Sequence, residues 1–395
     1  MRALLKAFKT EIAPTKEQKE KIIRSIGIAR FLYNQYIAYN KERYKMYQRG
    51  LLDDHQKHFV SANAFDKYVN HKLKKELPWI DTCGSKARKK ALVNAETAFK
   101  KFFKGEALFP RFMKLYFPKN NKGDWKIWRH KLMIPTLKQV RLKEFGYLPV
   151  GVPVISGTVS CKAGRCYVSV VVDIDEKSKY NKDLEASYQA ITDGVGIDLG
   201  VKDLAIVSDG KVFKNIHKHS KVKRLEKRLR RAQRRLSRKY AFQKKKGGKT
   251  AAASANIDKQ RRKIQKLYQR MDHIREDYEN KVIHEIVKQH PRFMTVEDLN
   301  VKGMIKNRHL AKAVAAQRFH RLLTKLKRKA ESVGIEFRIV DRFYPSSKTC
   351  HACGHIHKGL KLKDRVYVCP ACGYTEDRDI NASLNLRDAE EYRIA

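Results

Sequence analysis

Acidic residues are scarce in this 395-residue sequence. Only 41 Asp and Glu residues stand against 88 Lys and Arg residues, which gives a formal net charge of +47. This excess of positive charge is larger than solubility requires, and it indicates a polyanionic partner, nucleic acid rather than a membrane. A disordered histone-like tail is excluded, because 42% of the residues are hydrophobic and 10% are aromatic, enough to build folded cores.

The sequence also lacks long hydrophobic runs and a secretory signal. Its longest apolar stretch, just after Cys166, is far shorter than the roughly 20 residues of a membrane-spanning helix. Lys6 and Lys9 interrupt the apolar residues near the N-terminus, and no small-residue cleavage site follows them. We therefore expect a cytoplasmic protein that associates with the nucleoid when it is bound to DNA, with no membrane partner and no obligatory protein oligomer.

Cysteine is rare, and the spacing of the seven cysteines is informative. Two Cys-x-x-Cys pairs, separated by fifteen residues, are typical of a zinc ribbon, with Cys350, Cys353, Cys369 and Cys372 as ligands. Four thiolates close the coordination sphere, so we expect one structural Zn²⁺ rather than a catalytic one. Of the other cysteines, Cys161 and Cys166 flank a short turn, and we interpret them as plain hairpin positions without a redox role.

The N-terminal half predicts a small β-domain interrupted by helices. We expect β-structure at 1–12 and 106–190 and a helical lobe at 13–105, with a capping box at Thr15 and Gln18 starting its first helix. In that helix Tyr33 lies among the basic residues Arg30, Lys41 and Arg43. Such a surface could stack on bases and bind phosphates, but the tyrosine could equally belong to the buried stripe of an amphipathic helix.

The C-terminal half, 191–395, predicts a second, α/β domain. Three short strands are expected within 194–215, and further strands at 292–299 and 335–342, with a helix at 314–333 between them. A meander of three strands followed by crossover helices and more strands is the RNase H-like layout. A helical hairpin at about 218–285 and a zinc ribbon at about 346–376 are predicted as insertions.

The first helix of that hairpin is strongly basic. Between 218 and 249, 16 of 32 residues are Lys or Arg and one is acidic, while apolar residues keep a heptad spacing. The outward arginines, Arg224, Arg228, Arg231 and Arg235, could form only a solvated face. We favour nucleic-acid binding, because so one-sided a charge repels itself unless phosphates neutralise it.

Three carboxylates are candidate ligands for catalytic Mg²⁺. Asp198 lies in the first apolar strand, Glu297 near the end of a later strand, and Asp379 at the start of the last helix. A charged residue in an apolar strand is costly to bury unless it meets a cation, and three such acids could hold two Mg²⁺ ions for phosphodiester hydrolysis. A helix cap or turn role is the alternative for Asp379, and Asp203, Asp298, Glu376 and Asp377 are neighbouring acids that could be mistaken for ligands.

An ordered set of motifs resembles a known family. The segments are GIARFLYN at 27–34, FPRF at 109–112, GIDLGVKDLA at 196–205, EDLNVKGM at 297–304, YPSSKTC at 344–350, the four cysteines, and DRDINASLN at 377–385. Together they resemble the TnpB proteins of bacterial and archaeal insertion sequences, which are related to type V CRISPR effectors. Phe319 and Ala316 depart from the family, which usually has Trp and often Asp there.

The resemblance implies a fold and a function for the whole chain. It implies a RuvC nuclease domain with Asp198, Glu297 and Asp379 as its acids, a zinc ribbon, and a wedge-like β-barrel interrupted by a helical recognition lobe. It also implies Mg²⁺-dependent, RNA-guided cleavage of double-stranded DNA beside a transposon-adjacent motif, with a guide RNA from the transposon end. The alternatives are a catalytically silent RNA-guided repressor and a guide-free DNA transposase.

Overall fold

A computed structural model describes residues 5–52, 59–109, 117–119, 125–173, 193–245, 251–361 and 363–394. The chain divides into two compact units, Met1–Ser178 and Lys179–Ala395. Both helices and sheets are abundant, which confirms the predicted mixed α/β class. Residues 174–192, which include the boundary between the two predicted domains, and most of the FPRF segment lie outside the described residues.

The helices of the first unit begin with a long one. Helix α1 (Lys16–Gln48) starts at the predicted capping box, in which the Gln18 N–H donates to the Thr15 hydroxyl and the Thr15 N–H donates to the Gln18 side chain. Further on lie α2 (Ala62–Tyr68), a π-helical turn (Val69–Leu73), α3 (Lys74–Glu76), a 3₁₀ turn (Pro78–Thr82) and α4 (Ser85–Phe103). Aromatic side chains of α1 and α4, such as Tyr36 and Phe99, are fully buried between them.

An antiparallel sheet completes the first unit. Its strands are β1 (Leu5–Ala13), β2 (Phe117–Lys119), β3 (Lys126–Ile127), β4 (Lys131–Ile134), β5 (Lys138–Leu142), β6 (Val154–Lys162) and β7 (Arg165–Asp173), in the spatial order β2-β6-β7-β1-β5-β4-β3. The N-terminal strand therefore pairs with strands that follow the helices. The alternating valines of β7 are buried in the same apolar core as α1 and α4.

Cys161 and Cys166 lie directly opposite each other in the β6–β7 hairpin, as expected for hairpin positions. Their sulfur atoms also form a disulfide, which was not expected. The pairing explains the bond, since opposite residues of an antiparallel ladder bring two side chains within reach of a disulfide.

The second unit is built on a six-stranded sheet. Its strands are β8 (Val195–Asp198), β9 (Asp203–Val207), β10 (Val212–Lys214), β11 (Phe293–Glu297), β12 (Glu336–Val340) and β15 (Arg393–Ile394), in the order β10-β9-β8-β11-β12-β15. The pairs β8–β11 and β11–β12 are parallel, and the other pairs are antiparallel. Gly210, with φ +85°, makes the tight turn between β9 and β10.

A helical hairpin follows β10, as the heptad spacing predicts. Helices α5 (Ser220–Lys245) and α6 (Ala251–Val287) pack along a shared apolar seam. The seam consists of Leu225, Leu229, Ala232, Ile264, Leu267 and Met271. Because these residues face inward, the many basic residues of α5 are left on its outer face.

The helix expected at 314–333 is interrupted. After α7 (Val301–Lys306), the chain forms α8 (Ala311–Gln317) and α9 (Phe319–Glu331), with Arg318 between them in the left-handed conformation, φ +55°. The Arg318 guanidinium pairs with Asp272 of α6 and lies 4.0 Å from Glu279. These ion pairs offset the cost of a left-handed arginine, and they depend on a distant helix that local periodicity does not reveal.

The remaining elements are a two-stranded hairpin and a helix. Strands β13 (Val366–Val368) and β14 (Thr375–Asp377) pair around the second Cys-x-x-Cys segment, and α10 (Arg378–Arg387) follows directly. Helix α10 packs on β8, and Gly196 of β8 is the point of closest approach. A Cβ atom there would overlap the Ser383 carbonyl oxygen and the backbone of Arg387, so only glycine allows this packing.

Candidate functional site

Two of the predicted acids end adjacent parallel strands. Val296 of β11 lies opposite Ile197 of β8, so the next residues, Glu297 and Asp198, are at the same carboxyl-end edge of the sheet. Both side chains are partly buried. The carboxyl ends of parallel strands are where α/β proteins place their functional groups.

Helix α10 supplies the third acid. Asp377 caps the helix by accepting hydrogen bonds from the N–H groups of Asp379 (2.9 Å) and Ile380 (3.3 Å). Asp379 is therefore a first-turn residue, and the cap role that was its alternative belongs to Asp377. Because α10 packs on β8 across Gly196, its N-terminal turn is held beside the end of that strand.

The three acids share one electrostatic environment. Burial, together with the negative charges of Asp379 and Glu297, raises the pKa of Asp198 to about 7, and burial is the largest of these causes. Burial also raises the pKa of Glu297, as does the charge of Asp298. Arg378 opposes the shift at Asp198, and its guanidinium lies 3.3 Å from the Asp379 carboxylate. Asp198 is thus the carboxylate on which both other charges act.

The neighbouring acids have other partners. Asp203 is buried and pairs with Lys214 at 3.5 Å, while Asp298 accepts a hydrogen bond from Arg342 at 3.0 Å. Glu376 accepts from the Asp377 N–H, and Asp377 caps α10. Asp203 and Asp298 thus have basic partners of their own, and Asp377 serves as the helix cap.

The donor chemistry of the three acids suits Mg²⁺. Their donor atoms are carboxylate oxygens, the hard ligands that this ion prefers. The raised pKa of Asp198 reports that its negative charge is only partly compensated by protein groups, which is the electrostatic condition a divalent cation would relieve.

Four cysteines lie together in a cluster that could hold a metal ion. The Sγ atoms of Cys350 and Cys372 are 3.7 Å apart, those of Cys353 and Cys369 are 3.6 Å apart, and all four lie within 4.8 Å of one another. Zinc–sulfur bonds of about 2.3 Å would give sulfur–sulfur distances of about 3.8 Å in a tetrahedron. The cluster could therefore hold one Zn²⁺ with no position left open.

The two cysteine turns have the same backbone geometry. In the first, the Gly354 N–H donates to the Cys350 carbonyl at 2.9 Å, and in the second the Gly373 N–H donates to the Cys369 carbonyl at 3.0 Å. Both glycines have positive φ, near +73°. Burial raises the pKa of the Cys369 thiol, but hydrogen bonds from backbone N–H groups and from Cys372 and Cys350 lower the pKa overall, whereas the pKa values of the Cys350 and Cys353 thiols are raised.

Two buried asparagines connect this cluster to α10. The Asn381 amide donates to the Thr349 carbonyl at 2.8 Å, and its oxygen accepts from the His351 N–H at 3.1 Å. One turn later, the Asn385 amide donates to the carbonyls of Ser346 and Thr349, both at 2.7 Å. The helix that carries Asp379 is therefore fastened to the loop that begins the cysteine cluster.

Sequence reasoning missed the residues that shape the loop after Asp198. The Gln317 amide donates to the Gly200 carbonyl at 3.2 Å, and the Asn215 amide donates to the Val201 carbonyl at 2.8 Å. Both side chains are buried. The only sequence signal was that a polar residue stands within an otherwise apolar helix face, at Gln317.

The candidate nucleic-acid residues fall into two groups. Tyr33 is buried in the core of the first unit, with 7% of its surface exposed, which favours its structural interpretation. Arg30 and Lys41 are exposed on α1, and Arg43 is half-buried. On α5 the four arginines are all exposed: Arg224, Arg228, Arg231 and Arg235.

The described helices include none that is both long enough and apolar enough to span a membrane.

Comparison with known proteins places the chain among transposon proteins. Three family models match successive segments: a helix-turn-helix domain of the OrfB/IS605 type at 1–49, the OrfB/IS605 model described as a probable transposase at 170–308, and a Cas12f1-like TNB domain at 319–386. The chain is thus similar to the TnpB-like proteins, the OrfB proteins of IS605-type insertion sequences. In the helix-turn-helix segment, the residues described are one strand and one long helix.

Two relatives match over nearly their whole length. A candidate RNA-guided DNA endonuclease of Streptomyces pristinaespiralis is 29% identical over 98% of this chain and 89% of its own. A candidate RNA-guided DNA endonuclease, InsQ, of Escherichia coli strain K12 is 28% identical over 97% of this chain and 91% of its own. A match to the protein in a cryo-EM structure titled as a Cas12f1–sgRNA–target DNA complex covers 98% of this chain and 100% of that protein's chain, at 15% identity. Its TM-score of 0.35 is too low to define a shared fold.

Proposed function

We propose that this protein is an RNA-guided endonuclease that hydrolyses double-stranded DNA beside a transposon-adjacent motif. The observation that carries the proposal is the cluster of Asp198, Glu297 and Asp379 at one edge of the second sheet. The names of its relatives support the choice of an RNA guide and a DNA substrate.

The sheet supports a RuvC assignment for the second unit, with 191–395 as its domain. Three antiparallel strands, β10, β9 and β8, are followed by the parallel strands β11 and β12, the strand arrangement expected of an RNase H-like nuclease. In the first unit, β1 pairs with strands beyond the helices, which supports a wedge-like β-domain interrupted by a helical recognition lobe. The domain bounds remain those predicted from the sequence.

In the proposed mechanism, the three carboxylates hold the catalytic metal ions. Two bound Mg²⁺ ions would supply activation of the attacking water and stabilisation of the leaving oxygen. Asp198 is central, because the negative charges of both other acids raise its pKa. The Asp379 carboxylate lies 3.3 Å from the Arg378 guanidinium and 3.9 Å from that of Arg365, and these ion pairs orient it. Gln317 and Asn215 hold the loop that follows Asp198, which fixes the strand end from which this carboxylate projects.

The remaining features are assigned to support and to nucleic-acid binding. We assign the cysteine cluster to one structural Zn²⁺, because it is closed and because Asn381 and Asn385 connect it to the helix of Asp379. We assign the exposed arginines of α5 to phosphate contacts with guide RNA or target DNA. The protein would act in the cytoplasm without an obligatory protein partner.

A cleavage assay tests the proposal. The protein is expressed with its native flanking DNA and washed at high salt, and the RNA that stays bound is sequenced. Plasmids matching that RNA are then incubated with the complex and Mg²⁺. We expect cleavage by the wild-type complex and none by Asp198→Asn, although this variant still binds target DNA.

The matched control is Asp209→Asn. Asp209 lies in the β9–β10 turn, at the opposite edge of the same sheet, and its amide replacement keeps the oxygen that accepts the Lys211 N–H. Cleavage that survives in Asp198→Asn contradicts the proposal. Target binding without any wild-type cleavage indicates the repressor alternative, and RNA-independent joining of element ends indicates the transposase.

A further inference from the structure

Phe343 is an exposed aromatic residue in the turn after β12. With 86% of its surface accessible, it has the largest exposed fraction among the large hydrophobic side chains of the described residues. Soluble proteins expose single apolar residues often, but a ring left almost wholly in water beside a polar site is a candidate binding surface.

The position of the turn places Phe343 at the edge that carries the acids. Val340, the last residue of β12, lies opposite Glu297 in the parallel β11–β12 pair. Paired strands are about 4.8 Å apart, and three residues of chain reach about 10 Å at most. The backbone of Phe343 is therefore within about 15 Å of Glu297, a distance that a few nucleotides of a single strand can span.

The turn itself is held firmly. The Tyr344 N–H donates to the Asp341 carbonyl at 3.1 Å, and the Phe343 N–H donates to the Asp341 carboxylate at 2.8 Å. Before the ring, Arg342 donates to Asp298, the residue after Glu297, at 3.0 Å. After it, the Tyr344 hydroxyl donates to the Asn385 carbonyl of α10 at 3.1 Å. The two neighbours of Phe343 are thus attached to the two elements that carry Glu297 and Asp379.

Partly exposed arginines lie near Asp298 and Asp379, beside the acidic residues Asp298 and Asp341. The side chains of Arg342 and Arg365 are 43% and 49% exposed, and Arg393, also near Asp298, is 66% exposed. These guanidinium groups could contact phosphates while the ring contacts a base. An exposed aromatic ring with neighbouring arginines is an arrangement that single-strand binding uses.

We propose that Phe343 stacks on an unpaired base of the DNA strand that is led to the acid cluster. This inference rests on the proposed nuclease function and adds a substrate-binding residue to it. The strand is single, because a base inside a duplex has both of its faces covered by neighbouring bases. Stacking would fix the strand a few nucleotides from the bond to be cut, and so orient its phosphates toward the carboxylates.

Photocrosslinking tests the contact without requiring cleavage. Single-stranded oligonucleotides that carry 5-iodouracil at one position are irradiated with the full-length Asp198→Asn protein. We expect a crosslink on Phe343, found by mass spectrometry in the tryptic peptide of residues 343–348. The crosslink is absent in Phe343→Leu, which keeps an apolar side chain but lacks a ring, and is restored in Phe343→Trp. Phe145→Leu, at a 56% exposed residue of the first unit, is the matched control and retains it.

Cleavage kinetics provide the second measurement. In the wild-type background, Phe343→Leu should slow single-turnover cleavage by about five-fold or more, the lower range for one stacked base, and Phe343→Trp should restore the rate. Guide-directed target binding should not change, because base pairing with the RNA supplies it.

The outcomes separate the two proposals. If the wild-type protein cleaves but Phe343 does not crosslink and Phe343→Leu cleaves normally, the stacking inference is overturned and the nuclease function stands. If the wild-type protein does not cleave, the nuclease proposal fails, and a crosslink on Phe343 still establishes a single-strand contact. A concentration-dependent dimer that Phe343→Leu abolishes would show that a second copy covers the ring, which also overturns the inference.

Discussion

Asp198 makes the stability of the metal-free protein depend on pH. Its pKa is raised to about 7, so between pH 4 and pH 7 the folded state holds a proton that the unfolded state releases. The free energy of unfolding should therefore fall as pH rises through this range. At about 1.4 kcal/mol per pKa unit, the loss is a few kcal/mol at most.

The Asp198→Asn variant measures this contribution. In chelator, denaturant titrations at pH 5 and pH 8 should show that the variant gains stability relative to wild type at the higher pH. Adding Mg²⁺ at pH 8 should stabilise the wild type more than the variant, because a bound cation offsets the carboxylate charges. An equal difference between the two proteins at both pH values would contradict a raised pKa.

Gly196 is a second residue with a predictable effect. Gly196→Ala would force α10 away from β8, because the added methyl group meets backbone atoms that cannot rotate away. We expect a loss of about 1–3 kcal/mol, as for other overpacked sites, together with reduced cleavage as Asp379 moves.

The control for this change is Gly27→Ala in α1. A Cβ at Gly27 meets nothing within 4 Å, so alanine should be neutral or stabilising by up to about 1 kcal/mol. Thermal unfolding of both variants makes the comparison. Equal stability of the two would show that α10 is not packed as closely as described.

At the scale of elements, we expect that disrupting the cysteine cluster also disturbs the position of α10. Cys353→Ser should reduce bound zinc and lower cleavage, although no acid is altered, because the loop held by Asn381 and Asn385 loses its metal anchor. Cys83→Ser, at a buried cysteine of the first unit, should keep its zinc and its activity. Metal analysis and cleavage assays measure both, and normal cleavage by zinc-free protein would refute the coupling.

Sequence patterns predicted the elements that depend on neighbouring residues. The capping box of α1, the Cys-x-x-Cys turns and the heptad seam of the hairpin all follow from local spacing. The break at Arg318 did not, because its left-handed backbone is stabilised by Asp272 and Glu279, more than thirty residues away in sequence.

The candidate site also combines features that local sequence predicts with features that depend on distant residues. Its three acids stood out as charges in apolar or capped segments. The partners that set the neighbouring acids apart, such as Lys214 at Asp203 and Arg342 at Asp298, come from other strands and loops. The role of Gln317 and the Cys161–Cys166 disulfide could likewise not be predicted from the sequence, because each depends on contacts that only the folded chain makes.

At the scale of the whole molecule, the net charge of +47 predicts a steep salt dependence. Affinity for double-stranded DNA should fall by about 1000-fold or more between 50 and 200 mM salt, as counterions compete with six or more phosphate contacts. Replacing Arg228, Arg231 and Arg235 with Gln should lower the slope of log affinity against log salt by about three.

A matched triple variant controls for the loss of charge. Lys211, Lys281 and Lys327 already pair with Asp209, Asp277 and Glu331, so their replacement by Gln should leave the slope nearly unchanged. Filter binding over a salt series distinguishes the two variants. The same slope in both would mean that α5 is only a solvated surface.

The three acids lie far apart in the sequence, so they are made at different times during translation. Residues 198 and 297 emerge from the ribosome well before residue 379, and Asp379 reaches the sheet only through a helix fastened to the cysteine loop. A nascent chain that stops short of that helix lacks the third carboxylate, however well its sheet has formed. The last of the three acids is thus made after the four cysteines, and the proposed cleavage activity could begin only once translation has passed them.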